Sequence, residues 1–177
     1  MSALQNSPRI TPFLWFDNDA EEAVDFYLSV FKNSRRLTEF RMPEEKEPDP
    51  SLSQNQAKDG APNSSGAPKP GKVLTIAFEL DGQKFTALNG GPMFKFNESV
   101  SFVVRCDSQE EVDYYWSTLA ADGGSESRCG WLKDKFGLSW QIVPARLPEL
   151  LSHPKAMQAL MGMKKLDIAE LERAAKE

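Results

Sequence analysis

The sequence predicts an α+β fold: two βαβββ modules in series, followed by a helical tail. Three observations predict it. Short runs of alternating or continuous apolar residues are separated by stretches with helical spacing, and the order strand, helix, strands occurs twice. At one constant offset, Val24-Asp25-Phe26-Tyr27 falls on Val112-Asp113-Tyr114-Tyr115, in the predicted helix of each module. Finally, the 177 residues are 40 % hydrophobic and include 11 Phe, 4 Trp and 3 Tyr, enough apolar surface for a packed core.

The first module runs over 9–92. Arg9–Phe16 reads as a buried strand, with Pro12 marking an edge or a strand end. Asp19 and Glu22 have the spacing of a capping box, and Ala20, Ala23, Val24, Tyr27 and Phe31 form a helical stripe to about Phe31. Leu37–Met42 is a short strand. Val73–Leu80 and Gln83–Asn89 are two strands joined by the hairpin signal Asp81-Gly82. Between the second and third strands, 43–71 holds six of the 12 prolines, no aromatic residue and one large apolar residue, Leu52. Such a composition buries too little to offset its ordering entropy, so it reads as a mobile insertion.

The second module runs over 99–144. Ser99–Cys106 is a strand, Ser108 and Glu111 form another capping box, and Val112, Tyr115, Trp116 and Leu119 make the helical stripe. Gly123-Gly124 stops that helix. Short strands follow around Ser125–Lys133, then a turn at Asp134-Lys135-Phe136-Gly137 and a last strand, Ser139–Val143. In the tail, 145–177, helices are expected at Pro148–Leu151, from Pro154, and at Asp167–Ala175. Met157, Leu160, Met161 and Met163 read as packing on the sheet or on a partner subunit, with a Met-rich binding surface as the alternative.

Composition narrows the function. A formal charge of −5 argues against a nucleic-acid partner. No stretch is long and apolar enough to span a membrane, and Met1 to Pro8 lacks the charged and apolar regions of a secretory signal. The expectation is a cytoplasmic protein with Cys106 and Cys129 as reduced thiols. The single histidine, His153, follows the last strand beside a proline and reads as a surface or helix-start residue rather than a ligand.

Several segments resemble the vicinal oxygen chelate (glyoxalase/bleomycin-resistance/dioxygenase) superfamily, in the PhnB-like branch labelled 3-demethylubiquinone-9 3-methyltransferase. They are ITPFLWFDNDAEEAVDFY (Ile10–Tyr27), FTALNGGP (Phe85–Pro92), CGWLKDKFGLSWQIVP (Cys129–Pro144) and MKKLDIAELERA (Met163–Ala174). The resemblance implies one glyoxalase-like domain over 1–177, with paired modules whose curved mixed sheets surround a cavity. It also implies a homodimer and a small-molecule ligand. Methyl transfer would call for a glycine-rich turn between a parallel strand and a helix, and neither Asn89-Gly90-Gly91-Pro92 nor Asp122-Gly123-Gly124 has that context.

Metal-dependent members of the superfamily hold a divalent ion with inward His and Glu side chains. The resemblance puts the corresponding positions at Thr11 or Pro12, near Ser101, and at Gln141, where the pattern has a glutamate. Neutral oxygens and amides hold a transition metal weakly, so no metal and no other cofactor is expected. Thr11, Phe13, Trp15, Phe85, Asn89, Ser101, Trp131 and Gln141 remain as candidate substrate-binding residues, aromatic surface with a few orienting polar groups. Ordinary core packing is the competing reading for each aromatic, and strand alternation leaves open which face of Arg9–Phe16 lines the cavity. Glu39 and Glu79 lie on strands and would be acid–base candidates only if buried. The favoured function is a metal-free small-molecule binding protein. The alternatives are an enzyme of the same superfamily (a metal-dependent lyase, isomerase or dioxygenase, or a methyltransferase) and an interaction module that recruits a partner through the insertion.

Overall fold

A computed structural model describes residues 8–44 and 69–177. Its elements, in chain order, are β1 Phe13–Phe16, α1 Ala20–Val30, β2 Ser34–Arg41, β3 Val73–Leu80, β4 Gln83–Asn89, β5 Ser101–Cys106, α2 Gln109–Leu119, β6 Ser125–Glu126, β7 Trp131–Lys133, β8 Ser139–Pro144, α3 Leu147–Leu150, α4 Pro154–Gly162 and α5 Ile168–Ala175. Most of the Pro-rich stretch 43–71 lies outside the described residues. The strands form two four-stranded mixed sheets, ordered β1-β4-β3-β2 and β5-β8-β7-β6. In each sheet the first strand is parallel to the fourth and the other pairings are antiparallel. The two sheets thus repeat one topology, as the recurring element order predicts. The chain divides into two compact units, one up to Lys95 and one from Phe96.

In the first unit, β1 begins only at Phe13. Pro12 has no N–H to give to the ladder, although its carbonyl accepts from the Thr86 N–H at 3.0 Å. Leu14 and Phe16 are buried, as are Ala20, Ala23, Val24, Tyr27 and Val30 along the core stripe of α1. Beneath that stripe the Phe78 ring stacks on Tyr27 at 6.3 Å and on Phe85 at 5.3 Å. The expected Asp19/Glu22 box is corrected: Asp19 makes no side-chain cap bond. The Asn89 Oδ1 accepts from the Ala20 N–H instead, at 2.9 Å. Strand β2 starts at Ser34, earlier than apolar spacing suggests, because its first half is held by polar groups. Arg35 pairs with Glu79 at 3.2 Å, and Arg36 pairs with Asp25 at 2.6 Å and Glu39 at 2.8 Å. The β3–β4 hairpin turns through Asp81 (φ 45°) and Gly82 (φ 82°), the left-handed pair that a two-residue turn requires.

In the second unit Ser108 and Glu111 both cap α2, with the Glu111 half of the expected box displaced to the preceding residue. The Ser108 Oγ accepts from the Glu111 N–H at 3.3 Å, and the Glu111 carboxylate reaches back to the Asp107 N–H at 2.8 Å. Val112, Trp116 and Leu119 are buried on the face of α2 that meets β5, β7 and β8. Asp134 is buried and organises the β7–β8 turn. Its Oδ1 accepts from the Phe136 and Leu138 N–H groups at 2.9 and 3.0 Å, and its Oδ2 accepts from the Trp140 indole at 2.8 Å. The tail closes over its own core of Leu150, Leu160, Leu166 and Leu171 against Val143. Asp167 caps α5 through the Glu170 N–H at 2.9 Å. The methionine stripe is divided: Met163 packs on the tail core, while Met157 and Met161 are exposed. Among the described residues, no helix is long and apolar enough to cross a membrane.

Candidate functional site

Each sheet has one face under its helix and one turned away, and alternation along the strands sorts the candidate residues between them. In the first unit, Phe13 and Trp15 occupy the face away from α1. Phe13 is 59 % exposed. Trp15 is fixed: its indole N–H donates to the Gly91 carbonyl at 2.8 Å, and Phe94 meets its ring edge-on at 4.9 Å. Gly90 permits this placement, since a Cβ there would run into the indole ring. Thr11 is exposed and precedes β1. Phe85 and Asn89 belong to the opposite, buried face. Asn89 is structural in both directions, its Oδ1 on the Ala20 N–H and its Nδ2 donating to the Val73 carbonyl at 3.0 Å. A cavity of about 430 Å³ touches Asn89, Asn18, Glu21, Lys69 and Lys72, and the Asn89 amide commits one donor and one acceptor to the fold.

The second unit has the richer arrangement. On the face away from α2, the Gln141 amide donates to the Ser101 hydroxyl at 2.9 Å. Register puts Trp131 beside Gln141 and Lys133 beside Ser139. Along this face lies a cavity of about 520 Å³. Cys129, Trp131 and Lys133 line it in a row, with Ser125 and Ser127 on the β6 side and Ser139 on the β8 side. Ser139 is completely buried, and its Oγ is the one buried side-chain polar atom without a hydrogen-bond partner among the described residues. At one end of the cavity Lys133 is paired with Glu98, whose carboxyl this hydrogen bond holds below the usual range. At the other end Arg128, Cys129, Gly130 and Trp131 form a tight turn closed by the Trp131 N–H on the Arg128 carbonyl at 3.1 Å. Cys129 (φ 58°) and Gly130 (φ 82°) are both left-handed in it. The C-terminal segment clamps this turn, the Met163 and Lys164 carbonyls accepting from the Cys129 and Gly130 N–H groups at 2.9 and 2.8 Å.

Of the eight candidates, Ser101, Trp131 and Gln141 therefore share one face of the second unit. Phe13 and Trp15 share a face of the first, Thr11 stands apart, and Phe85 and Asn89 are turned into the core. Sequence reasoning missed Ser139, Ser125, Ser127, Arg128 and Lys133. Only the two-residue spacing of Ser139 and Gln141 on β8 signalled any of them.

The acid–base candidates are occupied. Glu79 is bound to Arg35, and Glu39 to Arg36 and Arg41. Burial, reinforced by the negative charges of Glu111 and Asp107, pushes the Cys106 thiol up to about 12, so it is neutral and inert near pH 7. His153 precedes α4 and lines a cavity of about 410 Å³ in which Arg146 bridges Glu149 and Glu172 in ion pairs of 2.9 and 3.2 Å. Among the described residues no three His, Cys, Asp or Glu side chains gather as a metal site. On the second sheet Ser101 and Gln141 are neutral, and the Gln141 amide N–H donates to the Ser101 hydroxyl. This donor set does not fit a divalent ion. Nor do the residues fit a nucleotide-type methyl donor: the Gly90-Gly91 pair follows β4 and leads into a long loop, and Gly123 and Gly124 follow a helix.

Comparison with known proteins decides the family. The model of the family described as 3-demethylubiquinone-9 3-methyltransferase matches residues 8–58 and 51–143. The chain belongs to this family. A PhnB protein from Bacillus cereus is 30 % identical, covering 77 % of this chain and 99 % of its own, with a TM-score of 0.58. A protein from Pseudomonas aeruginosa is 19 % identical over 78 % of this chain and 98 % of its own, with a TM-score of 0.53. The fosfomycin resistance protein FosX from Mesorhizobium loti shares the fold at 11 % identity and a TM-score of 0.50, covering 82 % of this chain and 98 % of its own. No curated protein matches. The family and the fold together place the chain in the vicinal oxygen chelate superfamily.

Proposed function

We propose that this family member is a metal-free small-molecule binding protein of the superfamily, with its ligand seated on the face of the second sheet turned away from α2. The observation that carries this reading is the 520 Å³ cavity lined by Trp131 and by Ser139, a residue whose buried hydroxyl has no hydrogen-bond partner. Polar and charged side chains surround the Trp131 indole and Leu132 in the cavity lining, a mixture that can orient a ligand laid on the indole. Catalysis has less support: the strand carboxylates Glu39 and Glu79 are tied in ion pairs, and among the described residues no base is hydrogen-bonded to either thiol. The superfamily positions that elsewhere carry metal ligands are neutral here, which supports binding without an ion. A homodimer and a cytoplasmic location accompany this reading.

A thermal-shift screen of the full chain against neutral, cationic and anionic aromatic compounds tests it, because a ligand that binds only the folded state raises the melting temperature by mass action. Saturable stabilisation by at least one class, abolished by Trp131→Ala in a folded variant, is the expected result. No stabilisation by any class, or stabilisation indifferent to Trp131, would contradict it.

A further inference from the structure

We infer that the cavity on the second unit selects a planar aromatic acid: its ring against Trp131, its anionic group on Arg128, and a hydrogen-bonding substituent on Ser139 Oγ. This rests on the binding reading above and adds the chemistry of the ligand.

The first support is Ser139. A fully buried hydroxyl without a partner is costly, and native structures keep few of them. Here the lone example among the described residues belongs to a residue that lines the cavity, and its donor and acceptor are unspent just beneath that lining. A ligand hydroxyl or carbonyl satisfies it. The second support is the charge count around the cavity. Its charged lining residues are Glu98, Glu126, Arg128 and Lys133. Glu98 and Lys133 neutralise each other. Glu126 accepts from the Trp116 indole at 2.8 Å and lies 4.0 Å from Lys164. Arg128 has no carboxylate partner among the described residues and is exposed, so its guanidinium is the lining cation left to meet a ligand. That group binds a planar carboxylate with two parallel hydrogen bonds. The third support is Trp131, partly exposed in the middle of the row, whose indole offers a flat apolar surface between these two polar anchors.

The test uses three probes on the full chain by isothermal titration calorimetry: 6-hydroxy-2-naphthoate, 2-naphthoate and 2-naphthol. The acid carrying the hydroxyl is expected to bind saturably and more tightly than either of the others. Arg128→Gln, a change at an exposed side chain, should weaken both naphthoates about tenfold and leave 2-naphthol unchanged. Ser139→Ala should weaken the hydroxy acid severalfold, leave 2-naphthoate unchanged, and keep or raise the melting temperature of the free protein, since it deletes an unsatisfied group. Equal affinity for all three probes, or binding indifferent to Arg128→Gln, would overturn the assignment while leaving the binding reading intact. Binding of only cationic or neutral aromatics in the broader screen would do the same. Failure of every class in that screen would remove both.

Discussion

Asn89 ties three segments of the first unit together. One amide serves the N-terminus of α1 and the start of β3 from the end of β4. Asn89→Ala strands a helix N–H and a strand carbonyl in a buried setting, and a loss of about 2–4 kcal/mol follows. Urea denaturation measures it. Unchanged stability with weakened ligand binding would return Asn89 to a binding role. The cysteines offer a second residue-level contrast. The Cys106 thiol is neutral in the folded protein up to about pH 12, while an exposed thiol ionises near 9. A folded pKa above the unfolded one contributes stability that is complete below about pH 9 and is lost as the pH rises toward 12. Stability curves of the wild type and Cys106→Ala should therefore run parallel below pH 9 and converge above it. Native-state alkylation at pH 8 should modify the partly exposed Cys129 and spare the buried Cys106.

At the scale of elements, the β6–β7 turn has a residue of unfavourable type at a left-handed position. Asn, Asp or Gly is usual there, as Asp81-Gly82 shows in the other unit. Cys129→Gly relieves the Cβ strain and gives back part of the gain as unfolded-chain entropy, so a net stabilisation of about 0.5–1 kcal/mol is expected. A destabilised variant by the same denaturation measurement would show that the thiol packs more than its backbone costs. The turn also shows what the sequence made legible and what it did not. Strands β3 and β4 stood out to the residue, because continuous apolar runs met a clear turn dipeptide. Strand β2 reads short in the sequence because Arg35 and Arg36 hide a strand held by ion pairs. The Asp19/Glu22 box matched in pattern, but its cap is supplied by Asn89, 70 positions further along, a partner no local window contains. The same limit applies to the site. Trp131, Ser101 and Gln141 were visible as residue types on strands. Ser139 and Arg128 join them only through sheet register and the fold of one turn.

For the molecule as a whole, the duplicated order of elements was readable from Val24–Tyr27 and Val112–Tyr115, and the two sheets carry it as one topology written twice. The units have diverged in use. The first spends its polar residues on ion pairs along β2 and on the Asn89 junction. The second leaves the Ser139 hydroxyl and the Arg128 guanidinium unpaired among the residues that line a cavity with the Trp131 indole, beside a tail that clamps the intervening turn. That asymmetry favours ligand recognition by the second unit. The most direct measurement is a calorimetric titration of exhaustively chelated protein with the best aromatic ligand, repeated after adding Mn²⁺ or Zn²⁺. The account predicts saturable binding in the chelated protein, with affinity unchanged by either ion. Binding that vanishes on chelation and returns with a divalent cation would contradict it.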